Sequence, residues 1–215
     1  MPKQTITENE SEALTANAFT RTGYTFTGWN TKADGSGTPY KNGQSITIDA
    51  DMMLYAQWKV NTFKVQFLGN GATSGSMKAE SFTYGTAKNL TANAFKRKGY
   101  SFTGWNTKAD GSGKAYKNKA SVKNLTSTNG AVIKLYARWA KVKYTIKYVL
   151  NKGKNNSKNP AYYYITTKTI TLQKPTRKGY TFDGWFTDKK FKTKITKIPK
   201  GSTGNLTLYA KWKKK

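Results

Sequence analysis

The 215-residue chain has no cysteine and no histidine, which removes disulfides, thiolate metal sites and the commonest general base and metal ligand. Its 38 Lys/Arg against 10 Asp/Glu give a net charge of +28, and no apolar run is long enough to span a membrane. The start, Met1-Pro2-Lys3-Gln4, carries no apolar stretch and does not read as a signal peptide, leaving an intracellular protein or an excised piece of a longer one.

The charge is graded along the chain. Residues 1–60 carry five Lys/Arg against six Asp/Glu, residues 61–140 thirteen against two, and residues 141–215 twenty against two. Such a gradient points one end at an anionic surface. The bland alternative is that lysines on exposed strands serve solubility and block edge pairing.

Taken in order, the chain repeats itself. Gly23-Tyr24-Thr25-Phe26-Thr27-Gly28-Trp29 returns at residues 99–105 and again at 179–185. Leu54-Tyr55-Ala56-Gln57-Trp58 returns at 135–139 and 208–212. All six tryptophans lie in these two stretches. A period near 80 residues is too long for a solenoid and suits a small domain used three times, so we expect modules at 1–60, 61–142 and 143–215. Modules of this size are marginal, and the aromatics supply the buried area. The expected core is Tyr24, Phe26, Trp29, Tyr55 and Trp58; then Tyr100, Phe102, Trp105, Tyr136 and Trp139; then Tyr180, Phe182, Trp185, Tyr209 and Trp212.

On the first motif Met1 aligns with Met77, Ile6 with Phe82 and Leu14 with Leu90, without gaps. The first copy therefore lacks a counterpart of Phe63–Leu68 or of Tyr144–Leu150, both period-two segments that read as strands. In the second copy a strand follows around Glu80–Tyr84. Residues 86–98 read as an extended crossover or a short helix, and the spacing of Leu90, Ala94 and Phe95 favours a helical turn or two. The next strand carries aromatics on both faces, Tyr100 and Phe102 opposite Trp105, and Gly104 suggests a bulge or a close backbone approach. Asp110-Gly111-Ser112-Gly113 is a turn by composition, as is Asp34-Gly35-Ser36-Gly37; the third copy has Asp188-Lys189-Lys190-Phe191 instead. Leu135, Ala137 and Trp139 should face one way and Tyr136 the other. Four residues separate each closing tryptophan from the next strand, none of them a Pro/Gly/Ser spacer, so adjacent modules should abut in an extended array.

An opening strand, Arg-x-Gly-Tyr-x-Phe-x-Gly-Trp, an Asp/Gly turn and Leu-Tyr-Ala-x-Trp together resemble the Listeria–Bacteroides repeat, the B repeat of internalin B. The matching residues are Arg21, Gly23, Tyr24, Phe26, Gly28, Trp29, Leu54, Tyr55, Ala56 and Trp58, with equivalents from Arg97 to Trp139 and from Arg177 to Trp212. The resemblance implies α+β, β-rich, β-grasp-like modules from a secreted or wall-attached Gram-positive protein, serving as stalk or adhesion units. No LPxTG signal follows Lys215, so it does not support sortase attachment.

Catalysis is hard to build from this composition. No carboxylate pair recurs at equivalent positions, so no catalytic residue, cofactor or metal is expected, and the Asp110 turn is too poor in oxygens for calcium. The tryptophans are explained as core without a sugar platform. Lys189, Lys190, Lys192, Lys194, Lys197, Lys200, Lys211, Lys213, Lys214 and Lys215 form the candidate polyanion site, for teichoic acid or sulfated host glycans. Nucleic acid, with Tyr162, Tyr163 and Tyr164 stacking on bases, is the weaker reading: arginines are few and no recognition motif is present. A passive spacer is the third. For the missing opening strand the simpler explanation is a sequence boundary that falls inside a repeat; the alternative is an acceptor groove filled by a strand donated in trans or by upstream sequence.

Overall fold

The computed structural model describes residues 1–215. Every regular element is a strand. The first repeat holds β1 (Glu12–Ala13), β2 (Tyr24–Asn30), β3 (Pro39–Tyr40), β4 (Ser45–Ile46) and β5 (Tyr55–Val60). The second holds β6 (Thr62–Leu68), β7 (Glu80–Thr83), β8 (Lys88–Asn89), β9 (Tyr100–Asn106), β10 (Ala115–Tyr116), β11 (Ser121–Val122) and β12 (Val132–Lys141). The third holds β13 (Tyr144–Val149), β14 (Tyr162–Tyr163), β15 (Ile170–Thr171), β16 (Tyr180–Phe186), β17 (Lys194–Ile195), β18 (Lys197–Ile198) and β19 (Leu206–Lys214).

In the second repeat the sheet order is β10-β9-β12-β6-β7, and in the third β14-β13-β19-β16-β17. The closing strand is central. β12 runs parallel to β6, from Val132 opposite Lys64 to Tyr136 opposite Leu68, and β7 lies antiparallel on the far side of β6 with Phe82 opposite Phe63. A parallel pair requires a long crossover, and the middle of each repeat supplies it. The first repeat has only β3-β2-β5.

The α+β, β-grasp-like expectation is corrected to all-β, because no helix crosses the sheet. The segment 86–98 is extended, and its backbone donors find distant partners. Lys88 and Asn89 pair with Val122 and Ser121. The N–H of Leu90 donates to the Ala120 carbonyl at 2.9 Å, that of Asn93 to Asn118 Oδ1 at 2.9 Å, and that of Lys96 to the Ser74 carbonyl at 2.9 Å. Donors committed this way cannot build an i→i−4 ladder.

A bulge also changes the faces read from alternation. Register shifts between Phe26 and Gly28, and between Phe182 and Gly184, so one inserted residue brings Phe and Trp onto the same face. Phe26 and Trp29 meet edge-on at 5.1 Å between centroids, and Phe182 and Trp185 at 5.4 Å. Gly28 has φ +145°, and a Cβ there would lie 2.7 Å from the Tyr40 carbonyl oxygen. Bulge and close approach coincide.

Closing-strand alternation holds: Leu135, Ala137, Leu208 and Ala210 have no exposed surface. The second repeat also buries Phe63, Val65, Phe67, Phe82 and Trp105, and in the third Ile146, Tyr163, Leu172, Trp185 and Ile198 form one core cluster with Leu208 and Ala210. The first repeat's core is smaller, with Leu14, Trp29 and Ile46 buried.

Contacts divide the chain into two compact units, Met1–Leu68 with Met77–Asn93 and Trp105–Tyr136, and Gly69–Ser76 with Ala94–Gly104 and Ala137–Lys215. Each seam between consecutive repeats falls inside one unit. At the first, the Asn61 N–H donates to the Gly23 carbonyl at 2.8 Å and the Tyr84 N–H to the Asn61 carbonyl at 2.9 Å. The Asn61 side chain accepts from Thr25 Oγ1 at 2.6 Å and donates to the Ser127 carbonyl at 2.7 Å. At the second, the Val142 N–H donates to the Gly99 carbonyl at 3.0 Å.

Candidate functional site

The motif Arg-x-Gly-Tyr is one structural device used three times. Tyr24, Tyr100 and Tyr180 donate their N–H to the carbonyls of Arg21, Arg97 and Arg177 at 3.0, 3.0 and 3.2 Å. The glycine between them has φ near +75° in each copy (Gly23 +77°, Gly99 +74°, Gly179 +76°), the conformation a turn demands of its third residue. Each guanidinium then lies over its tyrosine ring, at 3.9, 4.0 and 3.6 Å from the centroid. These arginines are therefore engaged in a fold element.

The tryptophans are embedded as well. Trp105 and Trp185 are buried, and Phe67 packs on Trp105 at 4.9 Å and Tyr148 on Trp185 at 5.2 Å. The closing tryptophans Trp139 and Trp212 are half-buried. Their Nε1 groups donate to the Gly69 and Leu150 carbonyls, at 3.0 and 2.9 Å. Tyr55 is exposed, whereas Tyr136 and Tyr209 are half-buried.

The third repeat's lysines fall into groups. Asp183, on β16, lies 3.5 Å from Lys211 Nζ and 3.6 Å from Lys213 Nζ on β19. Burial works to raise its pKa, but Lys213, Lys211 and Lys194 together hold it below the usual carboxylate value. Two lysines thus contact one carboxylate, and the charge of Lys194 acts on it as well. Lys211 also lies 5.4 Å from the Phe186 ring and 5.7 Å from that of Phe191. Lys189, Lys190 and Lys192 are exposed on the turn that carries Phe191. Lys197 sits on β18, in a separate two-stranded ladder with β15, and Lys200 follows it, its N–H donating to Thr169 Oγ1 at 3.2 Å. Lys214, Lys215 and the remaining members of the set are exposed, and only Lys211 and Lys213 of the ten reach a carboxylate.

Of the tyrosines offered for base stacking, Tyr163 is a core residue whose hydroxyl donates to the Gly204 carbonyl. Tyr162 is exposed, carries Lys143 Nζ 4.0 Å above its ring and meets Tyr164 edge-on. The three do not form a single platform. No group of three or more Asp/Glu converges as metal ligands, and no helix is long and apolar enough to cross a membrane.

Two residues carry weight that the sequence reading passed over. Asn30 and Asn106, directly after the tryptophan, are buried and fully engaged. Asn106 Nδ2 donates to the Gly111 and Gly113 carbonyls, both at 3.0 Å, while its Oδ1 accepts from Lys108 and Gly113 at 2.9 and 3.0 Å. The third repeat has Phe186 there instead.

The family model of the Listeria-Bacteroides repeat domain matches residues 1–57, 63–138 and 144–211. The chain belongs to this family. Its three repeats also align with a "Putative Gly-rich membrane protein" of Evansella cellulosilytica, 34% identical over 221 residues, covering 99% of this chain and 25% of that protein. A "Putative membrane protein" of the same organism is 30% identical over 201 residues, covering 88% and 26%. The chain therefore spans about a quarter of the length of these relatives.

Proposed function

We propose that these repeats are a non-enzymatic stalk of a surface-associated bacterial protein, and that the third repeat adheres weakly to anionic polymers such as teichoic acid or sulfated glycans. The observation that carries this reading is the cationic cluster of the third repeat, where Lys194, Lys211 and Lys213 outnumber the one carboxylate among them, Asp183. Exposed Lys189, Lys190 and Lys192 on the adjoining turn extend it. The membership in a repeat family, and relatives named as membrane proteins, support the surface setting. Aromatic side chains committed to packing and to turn stacking support a scaffold over a catalyst.

Retention of the 215-residue chain on immobilised teichoic acid, heparin and single-stranded DNA, eluted with salt, tests the reading. Binding by counterion release falls steeply with ionic strength. The triple variant Lys189→Glu, Lys190→Glu, Lys192→Glu should elute from both polysaccharides at clearly lower salt. Stronger retention on DNA at matched ionic strength, or no retention on any polyanion, overturns the adhesion reading and leaves nucleic-acid binding or a passive spacer.

A further inference from the structure

We infer that the second and third repeats bear load: in each, the opening and closing strands form a clamp that meets tension along the chain in shear. This rests on the stalk part of the proposed function and is independent of polyanion adhesion. It also gives a task to the closing tryptophans Trp139 and Trp212, which are only half-buried.

The third repeat shows the arrangement inside one compact unit. Its opening strand β13 and its closing strand β19 are parallel neighbours, from Ile146 opposite Leu206 to Val149 opposite Tyr209. The chain enters the repeat at the start of β13 and completes it at the end of β19. Because both strands run the same way, these two points lie at opposite ends of the ladder. Tension along the chain therefore slides β13 against β19, and all the rungs carry it together. An antiparallel pair in the same place would open one rung at a time.

Side chains extend the ladder past its backbone pairs. Beyond the last pair, Trp212 Nε1 donates to the Leu150 carbonyl and Asn151 Nδ2 to the Ala210 carbonyl, both at 2.9 Å. Before the first pair, the Thr145 N–H donates to Asn205 Oδ1 at 2.9 Å. Between these staples Ile146, Leu208 and Ala210 are buried in one core, with Tyr148 and Leu150 packed against it. That core keeps water, the competitor for each freed backbone group, from one face of the ladder. The far edge of β19 is held by β16, from Tyr180 opposite Lys214 to Phe186 opposite Tyr209.

The second repeat is built the same way. β6 and β12 are parallel from Lys64 opposite Val132 to Leu68 opposite Tyr136. Trp139 Nε1 donates to the Gly69 carbonyl and Asn70 Nδ2 to the Ala137 carbonyl, both at 3.0 Å. At the start, the Thr62 N–H donates to Asn129 Oδ1 at 3.1 Å. The three staples thus recur in kind, an indole and two asparagine side chains, although the residue after the motif tryptophan changes from Asn106 to Phe186.

The test is to pull the full 215-residue chain with optical tweezers in two directions. The chain has no cysteine, so an introduced pair fixes the line of force. Lys143 and Thr203 both precede the first pair, Ile146 with Leu206, by three residues, Lys214 ends β19, and all three are exposed. Lys143→Cys with Lys214→Cys loads the ladder in shear, and Lys143→Cys with Thr203→Cys peels it from its start. At one loading rate the shear pair should yield at clearly higher force, in a single step releasing on the order of 240 Å at roughly 3.4 Å per residue. Trp212→Phe with Asn151→Gly removes two staples, the glycine keeping the φ of +47° at 151. Under constant load it should shorten the lifetime of the shear pair at least about tenfold, roughly the worth of two hydrogen bonds. The peel pair should change less than about threefold, because peeling begins at the end away from these two bonds. Equal yield forces in the two directions, or equal shortening of both lifetimes, overturns the clamp. The stalk would then be a passive spacer, and retention on polyanions would be unaffected by either result.

Discussion

The second and third repeats share a sheet order and differ at the turn that follows their motif tryptophan. In the second, Asn106 is a buried polar hub that ties residues 108–113 through four hydrogen bonds. In the third, Phe186 replaces it and packs on Phe191 at 5.4 Å, and the turn is organised from outside by Asp188. That carboxylate accepts from the N–H groups of Lys190, Lys192 and Thr193. Phe191 occupies the place of Gly111 and adopts φ +55° where the glycine has +88°, a conformation unfavourable for a bulky residue. One strand-to-strand connection thus has two solutions, a polar centre with glycines or an aromatic pair with an external carboxylate, the second one residue shorter between its paired positions. Fold at this position is specified by satisfied backbone groups rather than by one residue type.

The largest way to break the comparison is to empty each centre. Asn106→Ala should cost on the order of 3 kcal/mol, because it strips partners from buried donors and acceptors. Phe186→Ala should cost a similar amount, about 3 kcal/mol or more, by leaving a cavity. Their signatures differ. Hydrogen exchange at Lys108 and Gly113 should accelerate in the first variant, whereas Lys190, Lys192 and Thr193 should stay protected in the second. Loss of protection at all three in Phe186→Ala would mean that Asp188 does not hold the turn by itself.

A second contrast separates conformation from packing. Gly99 and Gly179 have φ +74° and +76°, so alanine meets the same backbone strain at both, about 1 kcal/mol. A Cβ at Gly99 would sit 2.6 Å from Ile165, while nothing lies within 4 Å of one at Gly179. Gly99→Ala should therefore be the more destabilising by about 1–3 kcal/mol, the range for overpacking, in denaturant titrations of the two single variants. Equal losses would show that the seam yields without cost.

These contrasts also mark where the sequence could be read and where it could not. The strands around Phe63, Tyr144 and Leu135 were legible because period-two alternation reports a strand with one buried face. That Phe26 shares a face with Trp29, and Phe182 with Trp185, was not, since a single bulge residue inverts parity and only the glycine hinted at it. The helical turn expected near Leu90 failed for a non-local reason: its backbone donors meet Ala120 and Asn118, residues a local pattern cannot see. Gly23 and Gly99 were visible as motif letters, but their packing partners, Tyr84 and Ile165, lie more than sixty residues away. Asn106 went unremarked in the sequence, and its four bonds emerge only once the loop closes over it. The lysines were counted correctly along the chain, whereas their convergence on Asp183 depends on β16 and β19 being neighbours.

The smallest expected effect concerns the external carboxylate. Asp110 and Asp188 both titrate below their usual value, Asp110 chiefly through the Ser112 N–H and hydroxyl, Asp188 chiefly through the N–H groups of Thr193 and Lys192. A folded-state pKa below the unfolded one contributes stability that is present above about pH 4 and is lost as pH falls through the depressed folded value. Removing the charge should therefore matter at neutral pH and vanish in acid. The two sites should not respond alike. In the second repeat Asn106 holds the same turn independently, so Asp110→Asn should change stability little. In the third repeat Asp188 has no such partner, and Asp188→Asn should show the larger loss at pH 7. Wild type and Asp188→Asn should converge as pH falls through the depressed folded value, where the native carboxyl takes up its proton as well. Denaturant titrations of both variants at pH 7 and along an acid series decide the matter. An Asp110→Asn loss equal to that of Asp188→Asn would mean that the polar hub and the external carboxylate are not alternatives but parts of one requirement.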